Sequence, residues 1–224
     1  MKMSQPSQKK PDPREVLNII ISLNLNFKGE GFGDYYPQNA WGWLVFCVLS
    51  LRTKDEVSQA AYRRLATEIL TPEDMMTASV DRISQLIFPC GFYQRKAQQL
   101  KKIAQIIHNE YHNEPPRTQE ELFKLPGVGL KTANFVLSRA YGLPAICVDI
   151  HVHRISNRLG WVKTETPEKT EKELMRIVPQ DLWAPMNDLM VRFGQHICRP
   201  VSPLCTKCPL SKICPKIPFK NSVR

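Results

Sequence analysis

Lys131 closes the run Leu125-Pro126-Gly127-Val128-Gly129-Leu130-Lys131, and the residues on either side read as two helices joined by a tight turn. Upstream, Thr118 and Glu121 have the S/T-x-x-E spacing of a helix start at which two side chains satisfy orphan amides reciprocally, predicting a short helix over 118–124. Downstream, Ala133, Val136, Leu137 and Ala140 recur at i, i+3, i+4 and i+7, so a second helix with one apolar face runs to about Tyr141. Pro126 cannot continue the first helix. Gly127 and Gly129 permit positive φ and let the backbone approach another molecule with no Cβ in the way. Such a turn aims amide groups outward at a helix start, which suits a phosphate.

In the first turn of the second helix, Lys131 sits where the positive end of the helix dipole disfavours an ammonium. An ordinary lysine amine is neutral in only about one molecule in 2,500 at pH 7, so a nucleophilic lysine must be helped to lose its proton by about 4 kcal/mol. The dipole supplies at most ~2 kcal/mol, which leaves burial or a neighbouring base to add the rest. Asp149, eighteen residues further on, stands just ahead of a helix marked by Val152, Ile155 and Leu159. Aspartate is among the best N-cap residues, and capping does not prevent the same carboxylate from stabilising developing positive charge.

The third group is Cys198, Cys205, Cys208 and Cys214, spaced C-x6-C-x2-C-x5-C within seventeen residues. Five prolines, at 200, 203, 209, 215 and 218, erase any helical period there. A loop that cannot build its own core, yet carries four thiols, calls for a metal centre to staple it. Zinc and a four-iron cluster both accept four thiolates, and the presence of a single C-x2-C hook tilts the pattern toward the cluster. Arg199, Lys207, Lys212, Lys216 and Lys220 give this loop a basic edge. Cys47, Cys90 and Cys147 lie singly in apolar surroundings and read as buried small hydrophobes.

The elements that must position these groups are helical. Predicted helices run from Pro13 to about Leu25, over Asp55 to Leu70 and over Val80 to Phe88. Two further apolar faces are Trp41, Leu44, Val45, Val48, Leu49 and Leu100, Ile103, Ala104, Ile107; a last one runs from Leu182 to Ile197. The β-branched stretch Ala145 to Ile150 is too short and isolated for a sheet, so the fold class is all-α. Phe27 to Gln38, with three glycines and a proline, is a loop that can separate two lobes. The net charge of +10 favours a polyanionic partner, nucleic acid first. The longest apolar run, Trp43 to Leu51, is far below the ~18 residues of a membrane span, and the first twelve residues read as a solvated tail lacking a secretory core. A cytoplasmic monomer in a bacterium or archaeon is the corresponding expectation.

LPGVGLKTANFVL, then VDIHVHRISNRLG, then C-x6-C-x2-C-x5-C resembles, in that order and spacing, the endonuclease III branch of the helix-hairpin-helix DNA glycosylases. The likeness covers roughly residues 35 to 214. It implies two helical lobes with a DNA-binding cleft between them: a six-helix lobe over 32–143 holding the hairpin 118–141, and a cluster lobe from 13–31 and 144–224. It also implies Lys131 as Schiff-base nucleophile, Asp149 as catalytic carboxylate, the four cysteines as ligands of a [4Fe-4S] cluster, and hairpin contacts to DNA through Gly127, Val128 and Gly129. The activity implied is removal of oxidised pyrimidines from double-stranded DNA and cleavage at the abasic site by β-elimination. Residues inserted into the gap left by the flipped base match Arg52, where glutamine is usual, and Phe92, where leucine is frequent. Leu130 stands in place of a frequent arginine.

Two rival readings are a glycosylase for mismatched adenine or thymine, against which Lys131 argues, and a non-catalytic iron-sulfur DNA-binding protein, against which Lys131 and Asp149 argue jointly. His151 and His153 receive no catalytic role. Because phosphate contacts release counterions, affinity for duplex DNA is expected to fall at least about tenfold between 50 and 200 mM salt. A fluorescence-anisotropy titration that gave a flat salt dependence would contradict the basic-surface reading.

Overall fold

The computed structural model describes residues 10–26 and 37–219. All regular structure among them is helical, and no strand occurs, including over 145–150. The described residues divide into two compact units, one of residues 37–145 and one of residues 10–26 with 146–219. The glycine-rich segment after Phe27 lies almost wholly outside the described residues.

The first unit contains α2 (Ala40–Ser50), α3 (Asp55–Ala66), α4 (Pro72–Thr77), α5 (Val80–Ile87), α6 (Tyr93–Tyr111), α7 (Gln119–Leu122) and α8 (Leu130–Tyr141). Its α2 is apolar on almost all sides, with only Phe46 and Ser50 of its eleven residues less than fully buried, as befits a central helix. Around it pack Leu65 of α3, Ile83 and Ile87 of α5, Leu100, Ile103 and Ile107 of α6, and Ala133 and Val136 of α8, in one continuous core. Two helices end short of their predicted limits: α3 stops at Ala66, and α1 (Pro13–Ser22), in the other unit, stops before Leu25.

Two helices escape the apolar-period reading. At α4, Thr71 accepts from the Asp74 amide, the Asp74 side chain accepts from the Thr71 amide, and Pro72 fills the first helical position. With six residues, it is too short to show a period. At α10 (Pro167–Ile177), the Thr166 cap and Pro167 start are the same signal, but only Thr170, Glu171 and Leu174 are buried. The second unit otherwise packs α1, α9 (Ile150–Arg158) and α11 (Trp183–His196) around Leu17, Ile20, Val152, Ile155, Met186, Met190 and Phe193. No helix among the described residues is long and apolar enough to cross a membrane.

Ile103 is fully buried in the middle of α6. Ile103→Ala is expected to cost about 2–5 kcal/mol through lost burial and a residual cavity, whereas Thr71→Ala removes only a cap, at about 1 kcal/mol. Denaturant titrations followed by helicity give both values, and equal losses would contradict the burial of the α6 face in this core.

Candidate functional site

The hairpin is built as two helices and a turn, with differences of detail. α7 spans one turn because Phe123 caps it, and the reciprocal start does not form. Thr118 Oγ1 accepts from the Glu121 amide, but the Glu121 carboxylate then accepts from the same hydroxyl at 2.7 Å instead of reaching the Thr118 backbone. Gly127 takes φ +69°, which favours glycine, and a Cβ there would lie 2.6 Å from Gln99 Nε2. That amide nitrogen donates to Pro126 O at 2.8 Å and pins the turn to α6. Gln119 Nε2 donates to Asn134 Oδ1 at 2.7 Å and ties α7 to α8.

Of the two glycines, only Gly127 uses the positive φ that both permit: the φ of Gly129 is −103°. As N-cap of α8 it provides no side-chain cap, and a Cβ at this position would meet nothing within 4 Å. The surface at this helix start is therefore backbone. Val128 differs again, since its side chain is buried in the core and its amide donates to Leu125 O at 3.1 Å. It anchors the turn from inside.

Lys131 is exposed on the first turn of α8, while Thr132, Ala133 and Asn134 beside it are buried. Of the two aids the sequence leaves open for this amine, burial or a neighbouring base, the exposed side chain has little of the first. Its charge reaches the end of α2: the buried Cys47 thiol is pushed up to about 12 by burial, against the opposing pull of Lys131 and Arg139. Below Lys131, Phe135 meets Trp43 edge-to-face at 5.4 Å, and Arg139 lies 5.9 Å from the Trp43 ring.

Elsewhere in this unit the structure brings Arg52 and Phe92 together. Both are exposed, both hold left-handed backbone (φ 51° and 58°), and the guanidinium lies 5.9 Å from the centre of the Phe92 ring. Phe92 is therefore not a core residue.

In the other unit Asp149 is the N-cap of α9 and half-buried. Its Oδ1 accepts from the His151 and Val152 amides at 2.8 and 2.9 Å, so both capping bonds fall on one oxygen. His151 lies against Arg154, and His153 is buried with its Nδ1 2.6 Å from Thr170 Oγ1. Burial lowers the His153 pKa.

The four cysteines Cys198, Cys205, Cys208 and Cys214 line a single cavity of about 280 Å³, floored by Phe193 and Leu210. Burial pushes the Cys208 and Cys214 thiols up, and the other thiols of the set push in the same direction. Four such sulfurs are chemically a site for cationic iron or zinc. Among the described residues no three His, Cys, Asp or Glu side chains form a group that could hold a metal ion. What fits these residues to a metal centre is the chemistry of four thiol donors that share the lining of one cavity. Arg199, Lys207, Lys212 and Lys216 are exposed around the loop, and Lys220 lies outside the described residues.

Residues 45–180 match the family described as HhH-GPD superfamily base excision DNA repair protein. The chain belongs to this HhH-GPD superfamily. Among its relatives, Endonuclease III of Thermotoga maritima is 47% identical over 171 residues, which cover 76% of this chain and 80% of that one. The chain spans about half the length of the chloroplastic Endonuclease III homologues of Arabidopsis thaliana. A solved non-covalent Endonuclease III–DNA complex superposes with a TM-score of 0.81 at 34% identity, covering 91% of this chain and 94% of that one. A trapped Endonuclease III–DNA covalent intermediate gives 0.78 at 35% identity, with the same shares covered. This HhH-GPD protein is a base-excision-repair DNA glycosylase of the endonuclease III branch.

Three basic residues with structural work in this glycosylase had no part in the sequence reading. Arg154, fully buried, donates from Nη2 to Cys198 O at 2.9 Å. Arg158 donates to Arg199 O at 2.6 Å and to Pro200 O at 2.9 Å, and its Nη1 lies 3.5 Å from Cys198 Sγ. Their i, i+4 spacing on α9 was the available signal, although the loop they hold begins 40 residues further on. Lys96 of α6 is the third, and its apolar-phase position between Tyr93 and Ala97 gave none.

The two hairpin glycines separate stability from binding. Gly127→Ala is expected to destabilise the fold by about 1–2 kcal/mol, since it meets both a positive φ and Gln99. Gly129→Ala is expected to leave stability within about 0.5 kcal/mol and to weaken duplex DNA binding several-fold. Thermal melts and anisotropy on both variants check this, and unchanged DNA affinity for Gly129→Ala would remove the hairpin from the interface.

Proposed function

We propose that this glycosylase removes oxidised pyrimidines from duplex DNA in the cytoplasm of a bacterium or archaeon and then cuts the strand through a covalent lysine intermediate. The observation that carries the reading is the exposed primary amine of Lys131 on the first turn of a helix whose start is bare backbone. Backbone amides at the start of α8 and the glycines of the turn hold a DNA phosphate. Exposure of the amine assigns its desolvation to the bound DNA, which displaces water from around it.

The Lys131 Nζ lone pair forms a bond to the deoxyribose C1′ as the C1′–N bond breaks and the base departs with that electron pair and a proton. Asp149, its Oδ1 already fixed by two amides, stabilises the positive charge that builds on the sugar. The sugar ring opens to an imine on Lys131. Loss of a C2′ proton then expels the 3′ phosphate, and water releases the lysine. Arg52 and Phe92 enter the space vacated by the flipped nucleotide and offset part of the few kcal/mol that flipping costs.

Cys198, Cys205, Cys208 and Cys214 hold a [4Fe-4S] cluster in this proposal. When bound, it fastens a proline-rich loop that has no helical period, and the exposed basic residues of that loop track phosphates. Arg154 and Arg158 orient Cys198 and the residues after it.

Borohydride reduction in the presence of DNA bearing an abasic site tests the lysine chemistry. The native protein is expected to give a covalent adduct and Lys131→Ala none, with Lys131→Ala melting within about 0.5 kcal/mol of the native protein because the side chain is exposed. Equal trapping by the two would place the nucleophile elsewhere.

A further inference from the structure

Two large exposed side chains, both on left-handed backbone, do not stay side by side unaided. Left-handed φ disfavours bulky residues, and the cost is sustained only where surrounding contacts over-determine the conformation. Arg52 follows the end of α2, and Phe92 precedes α6. What joins them lies underneath.

The Lys96 side chain, 5% exposed, runs inward from α6. Its Nζ donates to Leu49 O at 2.7 Å, to Leu51 O at 2.6 Å and to Thr53 Oγ1 at 2.8 Å. Those three acceptors bracket Arg52. They also use all three protons of an ammonium, which carries no acceptor of its own. Thr53 Oγ1 in turn accepts from the Gly91 amide at 3.1 Å, one residue before Phe92. Gly91 packs so closely that a Cβ would lie 2.5 Å from Arg52 O. The two loops are thus clamped at van der Waals distance through one buried ammonium and one hydroxyl.

An ammonium is expensive to bury, and burial pushes the Lys96 pKa down. No carboxylate accompanies it among its hydrogen-bond partners, so ion pairing does not account for its place. A leucine or methionine would fill the same core position without that penalty. The position of the ammonium makes sense as a device for geometry: it draws three oxygens of a helix end and loop onto one point, which turns the Leu51–Arg52 backbone outward.

We propose that Lys96, acting through Thr53, is a positioning residue that holds Arg52 and Phe92 together as one preformed unit for filling the gap in the DNA stack. The inference rests on the glycosylase and lyase reading above and adds to it where the gap-filling pair acquires its shape. Neither Lys96 nor Thr53 touches the reacting sugar in this scheme; they determine how readily a nucleotide leaves an intact stack.

That division sets the test. In single-stranded DNA an abasic site has no opposing base and no continuous stack to fill, so the amine of Lys131 can react without the pair. Borohydride-trapping rates are measured on the same abasic site in duplex and in single strand. Lys96→Met and Thr53→Ala are expected to lower the duplex rate tenfold or more while leaving the single-strand rate within twofold, and Thr53→Ser is expected to restore the duplex rate. Arg52→Ala with Phe92→Ala should lower the duplex rate to the same extent. A second readout is the fluorescence of 2-aminopurine placed opposite an unreactive tetrahydrofuran site, whose change on saturation by the native protein should fall by more than half in Lys96→Met and Thr53→Ala. Should Lys96→Met fail to fold, the Thr53 pair decides alone. Duplex and single-strand rates falling together, or neither falling, would overturn the positioning role. If the native protein traps on neither DNA, the lysine chemistry itself fails, and this inference with it.

Discussion

The packing of α8 against the apolar α2 is the constraint on which the proposed lysine chemistry depends. An exposed amine can be presented at a fixed point only if the helix beneath it cannot shift, and Ala133, Val136 and Leu137 give α8 a face with no freedom to slide. Small residues near the start of that face permit close approach, and the Trp43–Phe135 edge contact adds direction that aliphatic packing lacks. Gln99 and Gln119 then fix the turn at its two ends. Side chains beneath and beside the turn thereby determine where it presents its backbone.

Much of this was legible in the sequence, because it rests on periodicity and on residues with one physical use. The α8 stripe gave both the helix and its buried side, and α5 and α11 ended within a residue or two of the limits read from their apolar positions. The four cysteines, in a segment with five prolines, announced a common site and do line one cavity. α4 and α10 were missed because their signal is a cap, not a stripe: Thr-Pro followed by an acidic turn says where a helix begins and nothing about what it packs against.

The errors are instructive in the same terms. Gly127 and Gly129 look alike in sequence, yet one is needed for φ and the other only for an open approach, a difference set by where Gln99 lies. Val128 between them is an inward anchor, which composition cannot distinguish from an outward contact. Lys96 was illegible for a deeper reason. A lysine on an amphipathic helix is nearly always solvated, and only the convergence of three oxygens from a loop over forty residues away shows otherwise.

Cys47 lies close enough to Lys131 to feel its charge, and thiols are ordinarily the better nucleophiles toward an aldehyde. With its pKa pushed up to about 12, the thiolate form of Cys47 amounts to roughly one molecule in 10⁵ at neutral pH. Enclosure in the core therefore silences a sulfur close to the Lys131 amine. The same silence protects the thiol from oxidation, since sulfenic acid formation starts from the thiolate.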